Sequence, residues 1–280
     1  MDVTDLSGKT VLVTGAGSGI GRATALACAR RGANLAICDI NETAMNAVAD
    51  ELRNLGRQVI TQRVDVSKLP EVQAFGQTVH AQVEAVDILV NNAGVGLGAM
   101  FLDTTHEDWE WTIGINLWGV IHGCETFVPA MVKRGRGGHV VNIASTAGFL
   151  ATASLTAYCT TKYAVLGLSE CMRNELQDHG IGVTAVCPGV INTSIVHSGR
   201  MRGFMANEKA RQEMSGAFQR RNYPPERVAE NILKAVQRNR AVAPVAPEAW
   251  GAYFLKRFFP AATRWLDRRM TAEARRRAAG

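Results

Sequence analysis

A chain of 280 residues, 47% hydrophobic and 20% charged, suits an ordinary globular protein and excludes a disordered, collagenous or repetitive one. Its net charge of +6 comes wholly from residues 251–280, where eight Lys and Arg face two acids. Residues 1–250 therefore sum to zero, and no nucleic-acid partner is expected.

Six cysteines without a C-x-x-C pair read as reduced, mostly buried thiols. The histidines lack ligand spacing, since His106-Glu107-Asp108 is not H-E-x-x-H, so no metal site is expected. Met1–Thr10 is acidic and polar, unlike a secretory leader, and no apolar run reaches the length of a membrane span. The expected location is the cytoplasm, which makes the glycosylation sequons at Asn41 and Asn192 chance matches.

In chain order, β-branched runs predict strands at Thr10–Thr14, Asn34–Asp39, Val59–Val64, Ile88–Asn91, His139–Ala144 and Gly182–Cys187, with a weaker one at Ala241–Val245. Helical stretches fall near 20–30, 42–55, 68–84, 106–133, 155–178 and 225–238, the last opened by Pro224-Pro225. Strand–helix alternation with apolar strands predicts an α/β, Rossmann-type, doubly wound parallel sheet with ligands at the strands' carboxyl ends. One domain is expected over 1–247, with 190–222 as a helical substrate flap, followed by a basic, aromatic extension over 248–280.

The turn Thr14-Gly15-Ala16-Gly17-Ser18-Gly19-Ile20-Gly21 follows the first strand and opens a helix. It fits G-x-x-x-G-x-G rather than G-x-G-x-x-G, and its glycines let backbone amides reach a pyrophosphate at a positive helix end. Gly15, Ser18, Gly19, Ile20 and Gly21 are the candidate phosphate-binding residues, although such a turn alone is a weak signal. Asp39 closes the second strand 18 residues after Gly21, where a carboxylate can bond the adenosine ribose hydroxyls. It would repel a 2′-phosphate, and Cys38 and Ile40 offer no cation, so NAD is favoured over NADP. An Asp at a strand end also serves as a plain turn cap.

The chain resembles the short-chain dehydrogenase/reductase family in its single-domain branch. The resemblance rests on Thr14-Gly15-x-x-x-Gly19-Ile20-Gly21, Asp65-Val66, Asn91-Asn92-Ala93-Gly94, Asn116, Ser145, Tyr158-x-x-x-Lys162 and Pro188-Gly189, in family order across roughly 5–245. Tyr158 and Lys162 are four residues apart and share a helix face, about 6 Å of rise apart. An ammonium there is expected to pull the phenol below its usual value of about 10, making Tyr158 a general acid or base. Ser145, just past a strand end, can bond a substrate oxygen as charge develops, or merely cap a helix.

Further roles are implied by the resemblance alone. Lys162 would bond the nicotinamide ribose, and Asn116 would hold a water that relays the proton. Asp65 and Val66 would hold the adenine, while Asn92, Ala93 and Gly94 border the adenosine and ribose. Pro188, Gly189 and Ile191 would lie along the nicotinamide, with Thr193 on its carboxamide. A homodimer or homotetramer is implied too, through the helices near 106–133 and 155–178.

The expected pocket wall is apolar: Val95, Leu97, Met100 and Phe101; Phe149 and Leu150; Ile195, Met201, Phe204 and Met205. It predicts an apolar, lipid-like secondary alcohol or ketone. In the extension, aromatics interleave with Lys and Arg, which reads as packing on the domain or a sister subunit, or as peripheral contact with an anionic membrane. Two rival functions stand beside the dehydrogenase: a catalytically silent dinucleotide-binding regulator, and a distant sugar-nucleotide epimerase or dehydratase, which needs a larger C-terminal region.

Overall fold

Alternate residues of each central strand face opposite cores, because strand side chains alternate with a period of two. In the computed structural model, which describes residues 1–191, 199–207, 212, 216 and 221–279 (side chains of 204 and 274–279 excepted), strand β1 (Thr10–Thr14) shows this most plainly. Val11 and Val13 enter one core, which also takes Leu26 of α1 (Gly19–Ala29), Leu52 of α2 (Glu42–Asn54) and Ile232 of α7 (Pro225–Gln237). Leu12 enters the other, with Phe75 of α3 (Leu69–His80), Phe127 of α5 (Gly119–Arg134) and Val165 of α6 (Thr156–Glu175). Burial on both sides explains why the strands read as continuous apolar runs.

The remaining strands of the sheet are β2 (Asn34–Asp39), β3 (Val59–Arg63), β4 (Ile88–Asn91), β6 (Gly138–Ile143), β7 (Ile181–Pro188) and β9 (Val242–Val245). All pair in parallel, in the order β3-β2-β1-β4-β6-β7-β9. This is the expected Rossmann-type α/β sheet, and its strand order reverses between β1 and β4.

Two features depart from the sequence reading, and a third adds to it. The helix expected over 106–133 is broken. α4 (His106–Ile113) runs through a single π-helical turn, Gly114–Trp118, into α5. Such a turn holds one extra residue and has no signature in apolar periodicity. Second, β5 (Leu97–Gly98) pairs in parallel with β8 (Arg200–Met201), tying the loop after β4 to the expected flap. Two-residue strands are too short for a pattern to show. Third, the extension forms α8 (Pro247–Phe258) and α9 (Pro260–Ala279). Most of the expected 190–222 flap, including residues 192–198, lies outside the described residues.

At the end of the sheet opposite the cleft, His139 is 2% exposed, with Nε2 2.8 Å from Thr184 Oγ1. Burial, with Arg173 adding to it, pushes its pKa down to about 3. The folded state holds this imidazole neutral whereas the unfolded chain protonates it near 6.5, so its contribution is complete above pH 6.5 and is lost as pH falls towards 3. Between pH 7 and pH 5 the loss from this group amounts to about 2 kcal/mol. Urea unfolding of His139→Gln should show a flatter pH dependence in that window than the parent chain. Parallel curves would refute the assignment.

Candidate active site

Two backbones meet where β1 and β4 diverge. Gly15 has φ +64°, a left-handed conformation that glycine adopts without strain, and a methyl group there would stand 2.7 Å from Ala93 Cα. A methyl at Gly21 would meet the Gly15 carbonyl and the Asn92 amide. The contact is stitched by Thr14, whose Oγ1 accepts from the N–H groups of Asn92 and Ala93, each at 3.0 Å. Asn92 Nδ2 donates in turn to the carbonyls of Thr14 (2.9 Å) and Gly15 (3.0 Å). Asn92 thus shapes the cleft floor through its side chain, a role its sequence context did not reveal.

Ser18 stands at the N-cap of α1 without a side-chain cap bond, and no acid occupies the first turn. The helix end therefore keeps its positive character and open amides, as a phosphate group requires. Asp39 Oδ2 accepts from Gly17 N (2.8 Å) and Oδ1 from Asn41 N (2.9 Å). The carboxylate is both the expected turn cap and a fixed negative charge beside the glycine turn. Arg22, the cation nearest in sequence, is held by Glu51 through Nε (3.0 Å) and Nη2 (2.6 Å). Backbone cradle, open helix end and acid together fit a dinucleotide.

The candidate catalytic groups gather beside the carboxyl end of β6. Ser145 follows that strand and caps the 3-10 turn Thr146–Gly148, its Oγ accepting from Ala147 N at 3.1 Å. The cap reading of Ser145 thus holds, yet its hydroxyl also lies close enough to the Tyr158 phenol to pull that group's pKa down. The turn can approach α6 because Gly148 has no side chain: a methyl there would stand 2.7 Å from the Lys162 carbonyl. Lys162 is buried, its Nζ donating to Ile143 O at 2.8 Å and lying 5.7 Å from the Tyr158 ring centroid.

One expectation is corrected by this packing. Tyr158 is half-buried as a residue, and burial of its phenol raises the group above 10 although Ser145 pulls the other way. Burial also pushes Lys162 down to about 8. Desolvation disfavours both charged forms, and in this arrangement it outweighs the pull of an ammonium that is turned towards a carbonyl.

Asn116 is completely buried in the π-helical turn. Its Oδ1 accepts from Val95 N (2.8 Å) and its Nδ2 donates to Val95 O (2.9 Å) and, more weakly, Thr161 Oγ1 (3.4 Å). The amide thus satisfies backbone groups, and its place beside Gly94 and Lys162 puts it at the cleft. Asp65 accepts from Ser67 N and Oγ, while Val66 is buried with its carbonyl 2.9 Å from His122 Nδ1. Pro188 ends β7, Gly189 follows against Glu248, and Ile191 is buried. Thr193 and Ile195 lie outside the described residues, as does the Phe204 side chain.

Of the expected wall, Leu97 and Phe149 are buried, and Met201 and Met205 cover Gly98. Phe101 is 63% exposed and belongs to the rim instead. Sequence reasoning missed Asp108. Fully buried, it accepts from Arg202 Nε and Nη2 (2.9 Å each) and from Arg200 Nη1 (3.2 Å), which clasps β8 onto α4. Arg202 above all holds its carboxyl far below the usual range. The capping-box spacing Thr105-x-x-Asp108 was its one sequence signal.

Comparison with known proteins gives a consistent picture. The family model for short chain dehydrogenases matches residues 9–202. The probable oxidoreductase EphD of Mycobacterium tuberculosis is 43% identical over 261 residues, covering 91% of this chain but only 44% of that protein. The chain thus spans less than half the length of the first relatives it matches. A short-chain dehydrogenase/reductase from Burkholderia phymatum in complex with NAD superposes with a TM-score of 0.82 at 32% identity, covering 92% of this chain and 95% of that one. A 7α-hydroxysteroid dehydrogenase complexed with NADH and 7-oxo glycochenodeoxycholic acid gives 0.76 at 30% identity, with 87% and 94% covered.

Because Gly21 abuts the Gly15 carbonyl, Gly21→Ala should displace the turn and weaken dinucleotide binding by about tenfold or more, equivalent to ~1.4 kcal/mol. Titration calorimetry with NAD and with NADP reads this directly. Unchanged affinity for both would show that the turn does not hold the dinucleotide.

Proposed function

The chain belongs to the short chain dehydrogenase family, and from that membership we propose that it transfers hydride between a nicotinamide dinucleotide and a secondary alcohol or ketone. The observation that carries this reading is the meeting of Ser145, Tyr158 and Lys162 at the carboxyl end of the sheet, beside the glycine turn. When bound, the dinucleotide supplies the hydride or accepts it.

The chain's own residues manage the oxygen and the proton. Ser145 Oγ donates to the substrate oxygen as negative charge grows there. Tyr158 exchanges the proton. Its raised pKa keeps the phenol protonated at neutral pH, the form needed to donate to a developing alkoxide in ketone reduction. In alcohol oxidation the same hydroxyl must first be deprotonated. Lys162, still mainly charged at pH 7 with a pKa of about 8, favours the phenolate whenever its ammonium turns from Ile143 O towards the ring, and it would bind the nicotinamide ribose. Asn116 fixes the Val95 backbone at the cleft wall and would hold the relay water nearby.

The site assignment carries over the remaining expectations. Gly15, Ser18, Gly19, Ile20 and Gly21 would hold the pyrophosphate, Asp39 the adenosine ribose, Asp65 and Val66 the adenine, and Pro188, Gly189, Ile191 and Thr193 the nicotinamide. NAD is proposed over NADP because Asp39 presents a carboxylate and Arg22 is already paired with Glu51. The substrate is proposed to be apolar, in keeping with Leu97, Phe149, Met201 and Met205. We further propose a cytoplasmic homodimer or homotetramer, supported by the exposure of Trp118 and Tyr163 on the faces of the central helices.

Tyr158→Phe should lower kcat by about 10²–10⁴-fold, the usual worth of a general acid or base, and leave NAD affinity intact. Full activity in this variant would remove Tyr158 from the mechanism. Binding by the parent chain with no turnover on any alcohol would favour the regulator instead. In the same absorbance assay NAD should exceed NADP in kcat/KM by about tenfold or more, and a ring ketone should outrun a sugar. Reversal of either order defeats that part of the reading.

A further inference from the structure

The oxidoreductase chemistry leaves α8 and α9 unused, although their inner faces are pinned beside the cleft. Tyr253 packs edge-on against Phe149 with centroids 5.3 Å apart. Asp267 Oδ1 accepts from Ala153 N at 3.3 Å, and Thr263 is 5% exposed. These contacts attach the tail to the segment that follows Ser145, so its orientation relative to the cleft mouth is set.

The outer faces are of another kind. Phe254 and Phe258 stack in parallel at 6.4 Å and are 51% and 67% exposed. Phe259, Trp265, Leu266 and Met270 follow along the extension, all between 42% and 66% exposed. Six large apolar side chains exposed within one extension are a concentration that suits an interaction site. Lys256, Arg257, Arg264 and Arg268 are interleaved with them and make no ion pair among the described residues. Arg269 lies over the Trp265 ring, 4.8 Å from its centroid.

We propose that this face seats the protein on an anionic lipid bilayer, with α8 and α9 lying in the interfacial plane. The charge favours lipid over a second copy, because a two-fold contact would oppose two tails that each carry +6. It also favours lipid over nucleic acid, since phosphate contacts would use the cations and leave Leu266, Met270 and Phe259 in water. Acyl chains bury the apolar side chains while headgroups meet the cations, the pairing expected of an interfacial helix. The contact is peripheral: among the described residues no helix is long and apolar enough to cross a membrane. Seating the tail deepens the functional reading, because it brings the cleft mouth to the phase in which an apolar substrate dissolves.

The test sediments the full chain with vesicles of phosphatidylcholine, alone or mixed with phosphatidylglycerol. Recovery is expected with the anionic vesicles only, and should decline as salt is raised. Each cation near an anionic leaflet is worth about a fivefold factor in partition, so Arg264→Gln with Arg268→Gln should reduce it about 30-fold. Phe258→Ser with Phe259→Ser should reduce it as well, and both variants should keep the parent melting temperature. Equal recovery with and without anionic lipid overturns the proposal. So does release by a DNA duplex that binds the chain more tightly, or a dimer in solution that the same substitutions dissolve. Sedimentation is read without turnover, so failure here and failure of the oxidoreductase reading are separate results.

Discussion

The contact between the Gly15 backbone and Ala93 governs the cleft. Thr14 reaches across it with one hydroxyl to two amides, and Asn92 returns with one side-chain amide to two carbonyls. Asp39 adds a third anchor from β2 by accepting from Gly17. The turn is therefore fixed from three neighbouring strands before any ligand arrives, and preorganisation of this kind lowers the ordering cost of binding. A side chain at position 15 or 21 would force those strands apart.

The same economy of space acts on the other side of the cleft. Gly148 lets the turn carrying Ser145 lie against the backbone of Lys162, which brings the hydroxyl of Ser145 to the phenol of Tyr158. Close packing excludes water, so the phenol is pushed up and the ammonium down. The phenol is then held in its protonated form, while Lys162, at about 8, lies where a modest change in local field alters its charge. Behind them the amides of Asn91 and Asn142 and the hydroxyl of Ser169 form a buried chain, with bonds of 2.9 and 3.0 Å, that joins β4, β6 and α6. Buried polar links of this sort favour one arrangement of the elements over its neighbours.

Much of this was legible in the sequence, for identifiable reasons. The central strands are buried on both faces, so Val11-Leu12-Val13 and its counterparts announce themselves as apolar runs. Gly15 and Gly21 are legible because close contact permits nothing larger, and Gly19 because its φ of +52° suits glycine. The Tyr158–Lys162 spacing follows from the helical repeat. What stayed hidden depends on contacts between distant segments. Nothing local marks Gly114–Trp118 as a wider turn, or Leu97–Gly98 as the partner of Arg200–Met201. The direction of the Tyr158 shift was misread because spacing reports nearness in the chain, whereas the shift depends on enclosure and on where the Lys162 ammonium actually points. Nothing local marks Arg200 and Arg202 either, because their partner Asp108 is delivered by the fold.

That carboxylate has two duties. It closes the capping box at the start of α4 with Thr105, and it pairs with the two arginines flanking Met201. The amides of Arg200 and Arg202 are bonded to the carbonyls of Gly96 and Gly98. Fraying of the first turn of α4 would thus strip the counter-ion from a strand some ninety residues away. The contacts tie the stability of the two segments together, although the chain between them is long.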